Sequence, residues 1–205
     1  MGNTRRLENL TLDNLDELPG PCRHCVFWEL GPLAGQAGDE ADTAFEKEAW
    51  VSAALLEWGR CGKVCYVHDE PAGFVQYAPP GAVPRSTAFP TSPVSADAAL
   101  LTVARILPEF AGRGLGRYLV QGVAKDLVNG GVHALEAFGD ARWERPACLL
   151  PADFLAAVGF RAVRQHHRFP RYRLDLSTTL SWRADMEAAL ERLFQAAGEH
   201  LPRPV

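Results

Sequence analysis

Glycines stand at positions 112, 114 and 116, between the apolar run Leu100-Leu101-Thr102-Val103-Ala104-Arg105-Ile106 and a helical stripe of Leu115, Leu119, Val123 and Leu127. A buried strand that runs through a glycine turn into a helix is an α/β unit with an anion site at its hinge. Glycines let the backbone come close to oxygen atoms, and the helix start offers N–H groups and roughly half a positive charge. Arg113 and Arg117 add side-chain charge, and together these groups suit a pyrophosphate. The turn ends Gly116-Arg117-Tyr118, so the Gly-Lys-Ser/Thr of a P-loop is missing. Position 117 also lacks the third glycine of a dinucleotide fingerprint. The competing account is a helix that needs glycines for packing, with solvated arginines.

The remaining chain supplies the other parts of an α/β domain. Residues 5–12 alternate as a first strand. Residues 42–58 carry Phe45, Ala49, Trp50, Ala53, Ala54, Leu56 and Trp58 at helical spacing. Two strands, 63–68 and 72–78, flank Asp69-Glu70-Pro71 as a hairpin turn. Five prolines fall within 79–97, and a connection of that length suggests a lid over a site. A helix over 114–129 stops at Gly130-Gly131, and 132–138 reads as a buried strand. A short helix opens at Pro151 and closes at Gly159. Strands at 161–167 and 171–176 precede a helix from Ser181 bearing Trp182, Met186, Leu190, Leu193, Phe194 and Ala197.

With 205 residues, 47% of them apolar, the chain can bury one substantial core. No run approaches the roughly 18–20 apolar residues of a membrane helix, and the start lacks a secretory h-region. A soluble, cytoplasmic protein is expected. The net charge of −4 argues against bulk nucleic-acid binding, and the basic residues are 18 arginines and 3 lysines. Cys22, Cys25, Cys61, Cys65 and Cys148 form an odd set, read as reduced thiols.

The segment Ala111-Gly112-Arg113-Gly114-Leu115-Gly116, preceded by Pro108-Glu109-Phe110, resembles the pyrophosphate loop of the Gcn5-related N-acetyltransferases (GNAT). That loop reads Gln/Arg-x-x-Gly-x-Gly/Ala; Ala111 stands where Arg or Gln is usual, which implies weakened cofactor binding. The likeness spans 63–176 and implies a mixed, largely antiparallel sheet splayed between the fourth and fifth strands and flanked by helices. It implies acetyl-CoA as co-substrate, held by Ile106, Leu107, Ala111, Gly112, Arg113, Gly114, Leu115, Gly116 and Arg117, with the backbone near Ile106 and Leu107 pairing with the pantetheine arm. Residues 1–62 are then an N-terminal strand and helices, and 177–205 a helical extension of a single domain. Cys22-x-x-Cys25-x-Phe27-Trp28-Glu29 and Pro170-Arg171-Tyr172-Arg173-Leu174 resemble an actinobacterial subgroup. The family often places a Tyr four residues before the closing Gly-Phe, here Gly159-Phe160; Leu155 occupies that position, and Cys148 falls where an Asn is common.

Acetyl transfer to a primary amine, of a small molecule or a protein, needs a proton acceptor. Taking a proton from a lysine-like ammonium near neutral pH costs on the order of 4–5 kcal/mol. Glu136, mid-strand in Ala134-Leu135-Glu136-Ala137-Phe138, is the first candidate, since a buried carboxylate needs a reason; pairing with an arginine would be another reason. Glu29, in the aromatic segment, is the second. The resemblance implies that the backbone N–H near Ile106 would meet the oxyanion, and Cys148 or Tyr118 could protonate the leaving thiolate.

Two other readings use the same residues. An acyl-CoA-binding module of weak activity needs only the glycine turn. A zinc-stapled interaction domain would draw on Cys22 and Cys25 with Cys61 and Cys65. The basic run from Arg161 to Arg173 is read as a protected sheet edge or a phosphate contact, not a nucleic-acid surface. The helix from Ser181 is expected to pack on its own chain, with a homodimer as the alternative to a monomer.

Overall fold

The computed structural model describes residues 5–32, 40–143 and 148–176. The helix expected from Ser181 lies outside the described residues.

The strands are β1 (Arg5–Asn9), β2 (Gly62–Val67), β3 (Glu70–Ala78), β4 (Ala98–Ile106), β5 (Ala134–Asp140), β6 (Leu150–Pro151), β7 (Arg161–Arg164) and β8 (Arg171–Asp175). Among the described residues they form one mixed sheet in the order β1-β2-β3-β4-β5-β8-β7, with β6 beside β5. Neighbours pair antiparallel except β4–β5 and β5–β6, which are parallel. The helices are α1 (Gly20–Arg23), α2 (Glu40–Trp58), α3 (Leu115–Asn129) and α4 (Ala152–Ala157). None of these helices is long and apolar enough to cross a membrane.

The sheet is covered on both faces because its inner strands are apolar on both sides of the pleat. Cys65, Val67, Val75, Tyr77 and Leu101 pack with Leu115, Leu119, Val123 and Leu127 of α3. Their neighbours Val64, Tyr66 and Phe74 point the other way, against Val51 and Ala54 of α2. Alternation alone separates the two layers.

Several local expectations change. The β2–β3 turn is His68-Asp69, both at positive φ (53° and 67°), so β3 begins at Glu70 rather than after Pro71. Two left-handed residues suit the twist of a two-residue hairpin, whereas Pro71 cannot adopt positive φ. On α2, Phe45 and Leu56 are 69% and 84% exposed, while Thr43, Lys47, Val51 and Ala54 form the buried face. The apolar stripe read from sequence was rotated, because a lysine stands at the centre of the covered face. Strand β7 ends at Arg164, earlier than the run of alternation suggested.

The proline-rich segment 79–97 is a packed wall. It coils through short 3₁₀ turns at Pro80–Ala82 and Pro84–Ala88. Val83 is fully buried, and Phe89 stacks on Phe138 at 4.4 Å and on Trp28 at 5.3 Å. No residue of 79–97 lines the cavity described below; where a lid was expected, the segment packs on the core through Val83, Phe89 and Val94.

Candidate active site

The site begins where two strands part. Parallel β4 and β5 pair only at Ala98–Leu100 with Ala134–Glu136. Beyond Leu100, β4 keeps β3 alone, and β5 takes β6 at Gly139 and Asp140. At the parting point Gln76 pairs with Val103 and Tyr77 with Leu101, which leaves Thr102 as an extra residue in β4. Its hydroxyl donates to Gln76 O at 3.0 Å. A bulge bends and over-twists the strand that carries it, which steers β4 away from β5. Over 103–106, no strand among the described residues pairs with the cleft side of β4, a backbone edge of the kind that accepts an extended ligand.

The same strand leads to the glycine turn. A 3₁₀ turn at Pro108–Phe110 precedes Gly112 and Gly114, which adopt left-handed conformations at φ 74° and 75°. Gly114 is the N-cap of α3 and has no side-chain cap. The N–H groups of Leu115, Gly116 and Arg117 therefore lie in the first turn without intrahelical acceptors. A Cβ at Gly112 or Gly114 would meet nothing within 4 Å, so the space in front of the turn is open. At Gly116 it would sit 2.7 Å from the Phe154 ring, so this glycine serves α3–α4 packing. An open turn with outward donors at a helix start fits a pyrophosphate.

The two arginines divide. Arg113 is exposed, its guanidinium 5.6 Å from the centre of the Phe110 ring. Arg117 donates to Ala157 O at 2.5 Å, at the end of α4, so its side chain caps that helix rather than waiting for phosphate. Ala111 closes the 3₁₀ turn through Ala111 N to Pro108 O. Ile106 pairs with Gly73, and Leu107 donates its N–H to Ala72 O at 2.9 Å. That donor is committed to β3 and is not available to a pantetheine arm.

A cavity of about 460 Å³ opens beside the parted end of β4. Residues 103–106, Gly116, Phe154, Trp143, Cys25 and Cys148 line it, and its polar floor is Glu29, Lys47 and Gln76. Lys47 Nζ lies 2.5 Å from Glu29 Oε1, with both side chains almost wholly buried. Gln76 Nε2 donates to the same oxygen at 2.8 Å, and the Trp28 N–H donates to Oε2 at 3.1 Å. Lys47 also reaches Gln76 Oε1 at 3.4 Å. Three donors, from α2, from β3 and from the turn that carries Glu29, converge on its carboxyl group, and Lys47 supplies the opposite charge.

On the cavity wall, the Sγ atoms of Cys25 and Cys148 are 2.8 Å apart as free thiols. The hydrogen bond from Cys148, aided by the Phe27 N–H and the Lys47 charge, outweighs burial and pushes the Cys25 thiol down to about 6. The Cys148 thiol is driven well above its ordinary value, first by that hydrogen bond and then by burial. A thiol that holds its proton so firmly is a poor donor to a leaving thiolate.

Glu136 lies elsewhere. It is fully buried and does not line the cavity. Its carboxylate accepts from Arg171, from Arg173 at 3.3 Å and from the Ser95 N–H at 3.2 Å. Arg173 also donates to Asp97, which raises the arginine's pKa and lowers that of Asp97. The pairing with arginine accounts for this buried carboxylate. Leu155, at the family's Tyr position, is fully buried in the core. Tyr118 packs against the same cluster. Cys61 and Cys65 belong to different clusters on opposite faces of the sheet, so they cannot join Cys22 and Cys25 around one metal ion.

Of the expected residues, the structure brings Glu29, Cys148, Ile106 and Gly116 to one cavity, beside the glycine turn, and leaves Glu136 out. Lys47 and Gln76 were missed. Gln76 carried a signal, as a lone polar residue inside the apolar run 72–78. Lys47 carried none beyond its helical register with Thr43 and Val51.

No family model matches the sequence, and no curated protein matches it. Solved structures do. An N-acetyltransferase from Thermoplasma acidophilum in complex with coenzyme A is 12% identical, with a TM-score of 0.53 over 84% of this chain and 99% of that one. An N-acetyltransferase from Staphylococcus aureus is 14% identical, with a TM-score of 0.55 over 84% and 99%. An aminoglycoside acetyltransferase in complex with coenzyme A is 15% identical, with a TM-score of 0.56 over 84% and 95%. The likeness is one of fold: a mixed, mostly antiparallel sheet with parallel β4 and β5, flanked by helices, as in the GNAT acetyltransferases.

Proposed function

We propose that this chain is an acetyl-CoA-dependent N-acetyltransferase that acetylates a primary amine, of a small molecule or a protein, by direct attack. One observation carries the reading: the parted edge of β4 over 103–106 runs straight into a bare, open helix start at 112–117. An extended chain ending in a pyrophosphate matches that pair of features, and the coenzyme A bound to two structures of this fold has that form. The resemblance of the 111–116 loop to the GNAT motif supports the same cofactor. When bound, acetyl-CoA supplies the activated acetyl thioester.

The chain's own part follows from the cavity. Backbone N–H groups of 112–117 and the α3 dipole bind the pyrophosphate, and the β4 edge orients the arm. Phe154, Trp143 and Val103 give the cavity apolar walls. Glu29 draws the acceptor's ammonium group and takes its proton. Oε2 is the suitable atom, since Oε1 already serves Lys47 and Gln76. Lys47 and Gln76 position that carboxylate.

The test is thiol release from acetyl-CoA across a panel of primary amines, with coenzyme A binding followed by calorimetry. Saturable binding and amine-dependent thiol release are expected. Binding without release for any amine would overturn the enzymatic reading, and absence of binding would overturn the cofactor.

A further inference from the structure

We propose that Cys25 and Cys148 are a peroxide-oxidisable pair that closes into an intramolecular disulfide on the cavity wall. The two sulfurs come from segments 123 residues apart in sequence and already touch at 2.8 Å. Reaching a bond length of about 2.05 Å requires less than an ångström of approach. Neither residue lies within a helix or strand, so both backbones have room to adjust. The segments are also clasped independently, by Trp28 Nε1 donating to Cys148 O at 2.7 Å.

The other thiols show why this pair is singled out. Cys61 and Cys65 are fully buried in separate clusters. Cys22 is engaged by Arg105 Nη1 at 3.4 Å. Cys25 has its thiolate favoured by a neighbouring thiol, a backbone N–H and the Lys47 ammonium, and it has a second thiol in reach.

The chemistry balances with a hydroperoxide as oxidant. The Cys25 thiolate attacks the O–O bond of hydrogen peroxide, becoming a sulfenic acid and releasing hydroxide, which is protonated to water. Cys148 then attacks the Cys25 sulfur, the S–S bond forms, and the sulfenic oxygen leaves as a second water. Two thiols lose two electrons and two protons, and one peroxide is reduced to two waters. The bond would tie the segment after α1 to the segment before β6 and narrow the acceptor side of the cavity. That consequence for turnover rests on the proposed acetyl transfer; the bond itself does not.

The full chain is treated with hydrogen peroxide, quenched by alkylation under denaturing conditions and weighed intact. The expected result is the loss of two hydrogens and of two alkylatable thiols, reversed by dithiothreitol, with a peptide joining Cys25 to Cys148. Cys25→Ser and Cys148→Ser each abolish the cross-link; in Cys148→Ser, Cys25 proceeds to the sulfinic acid. Sulfinic acid on Cys25 of the unaltered chain with Cys148 still alkylatable would overturn the proposal, and so would a bond joining Cys22 to Cys25. These readouts need neither acetyl-CoA nor an amine, so failure of the thiol pair and failure of the acetyltransferase reading are seen separately.

Discussion

Glu29 and Lys47 face each other at 2.5 Å on the floor of the cavity, both shut away from bulk water, with Gln76 bridging them. Burying two charges is expensive, and their attraction offsets the cost only while both remain. The pair thus connects α2 to the segment after α1 and fixes a carboxyl group at the floor of the cavity.

Lys47→Met should leave Glu29 as a buried, uncompensated charge and destabilise the fold by about 3–5 kcal/mol. Adding Glu29→Gln to Lys47→Met should recover most of that loss. Denaturant unfolding of the two single variants and the double variant checks the coupling. Additive losses would show that the two groups do not act as a pair.

The two candidate carboxylates should separate by assay. Glu29→Gln should lower kcat for amine acetylation by about 10²-fold or more, the scale of a lost proton acceptor. Glu136→Gln should leave kcat of the folded enzyme nearly unchanged. It removes the anion facing Arg171 and should cost about 3–5 kcal/mol of stability, read by melting or denaturant.

Gly114→Asp places a carboxylate at the start of α3, in front of the turn's donors. The left-handed φ of 75° costs an aspartate about 1 kcal/mol, so the variant should fold. Charge repulsion should raise the Kd for coenzyme A at least about tenfold, which is about 1.4 kcal/mol. Calorimetry decides. An unchanged Kd in folded protein would remove the turn from the cofactor site.

Alkylation of Cys25 by iodoacetamide should depend on pH as a thiol pushed down to about 6. The rate should be half-maximal near that pH and flat above it, whereas an ordinary thiol titrates near 8.5. The sign for stability follows. A depressed folded pKa means the unfolded chain binds the proton more tightly, so this contribution is fully present above the unfolded pKa. It declines as pH falls and is lost once pH passes below about 6. Mass-resolved labelling from pH 5 to 9 checks the rate.

Gly73→Ala tests the strand pair that shapes the cleft. A Cβ there would lie 2.5 Å from Arg105 O, a backbone atom that cannot swing aside. Forcing β3 from β4 should cost about 1–3 kcal/mol, a fall in Tm of roughly 2–4 °C per kcal/mol for a chain of this size. The clash displaces β4 at Arg105 and Ile106, on the edge that faces the cleft, so coenzyme A affinity should fall with stability.

The sequence by itself determined the order of the longer strands and of the two long helices, and the hinge at 112–116; the short α1 and β6 came only with the tertiary structure. These are local properties: alternation, helical period and the conformations open only to glycine are written in neighbouring residues. It also marked Glu136 as a carboxylate needing a reason, and Glu29, in the aromatic segment, as a second candidate. Only the tertiary structure decided between them, because a buried charge is defined by its partners. The arginines of β8 reach Glu136, whereas Lys47 and Gln76 hold Glu29 at the cavity. The same holds for Cys25 and Cys148, whose meeting depends on a closure across 123 residues. The wall at 79–97, irregular in its own sequence, took its shape from Trp28 and Phe138 stacking on Phe89.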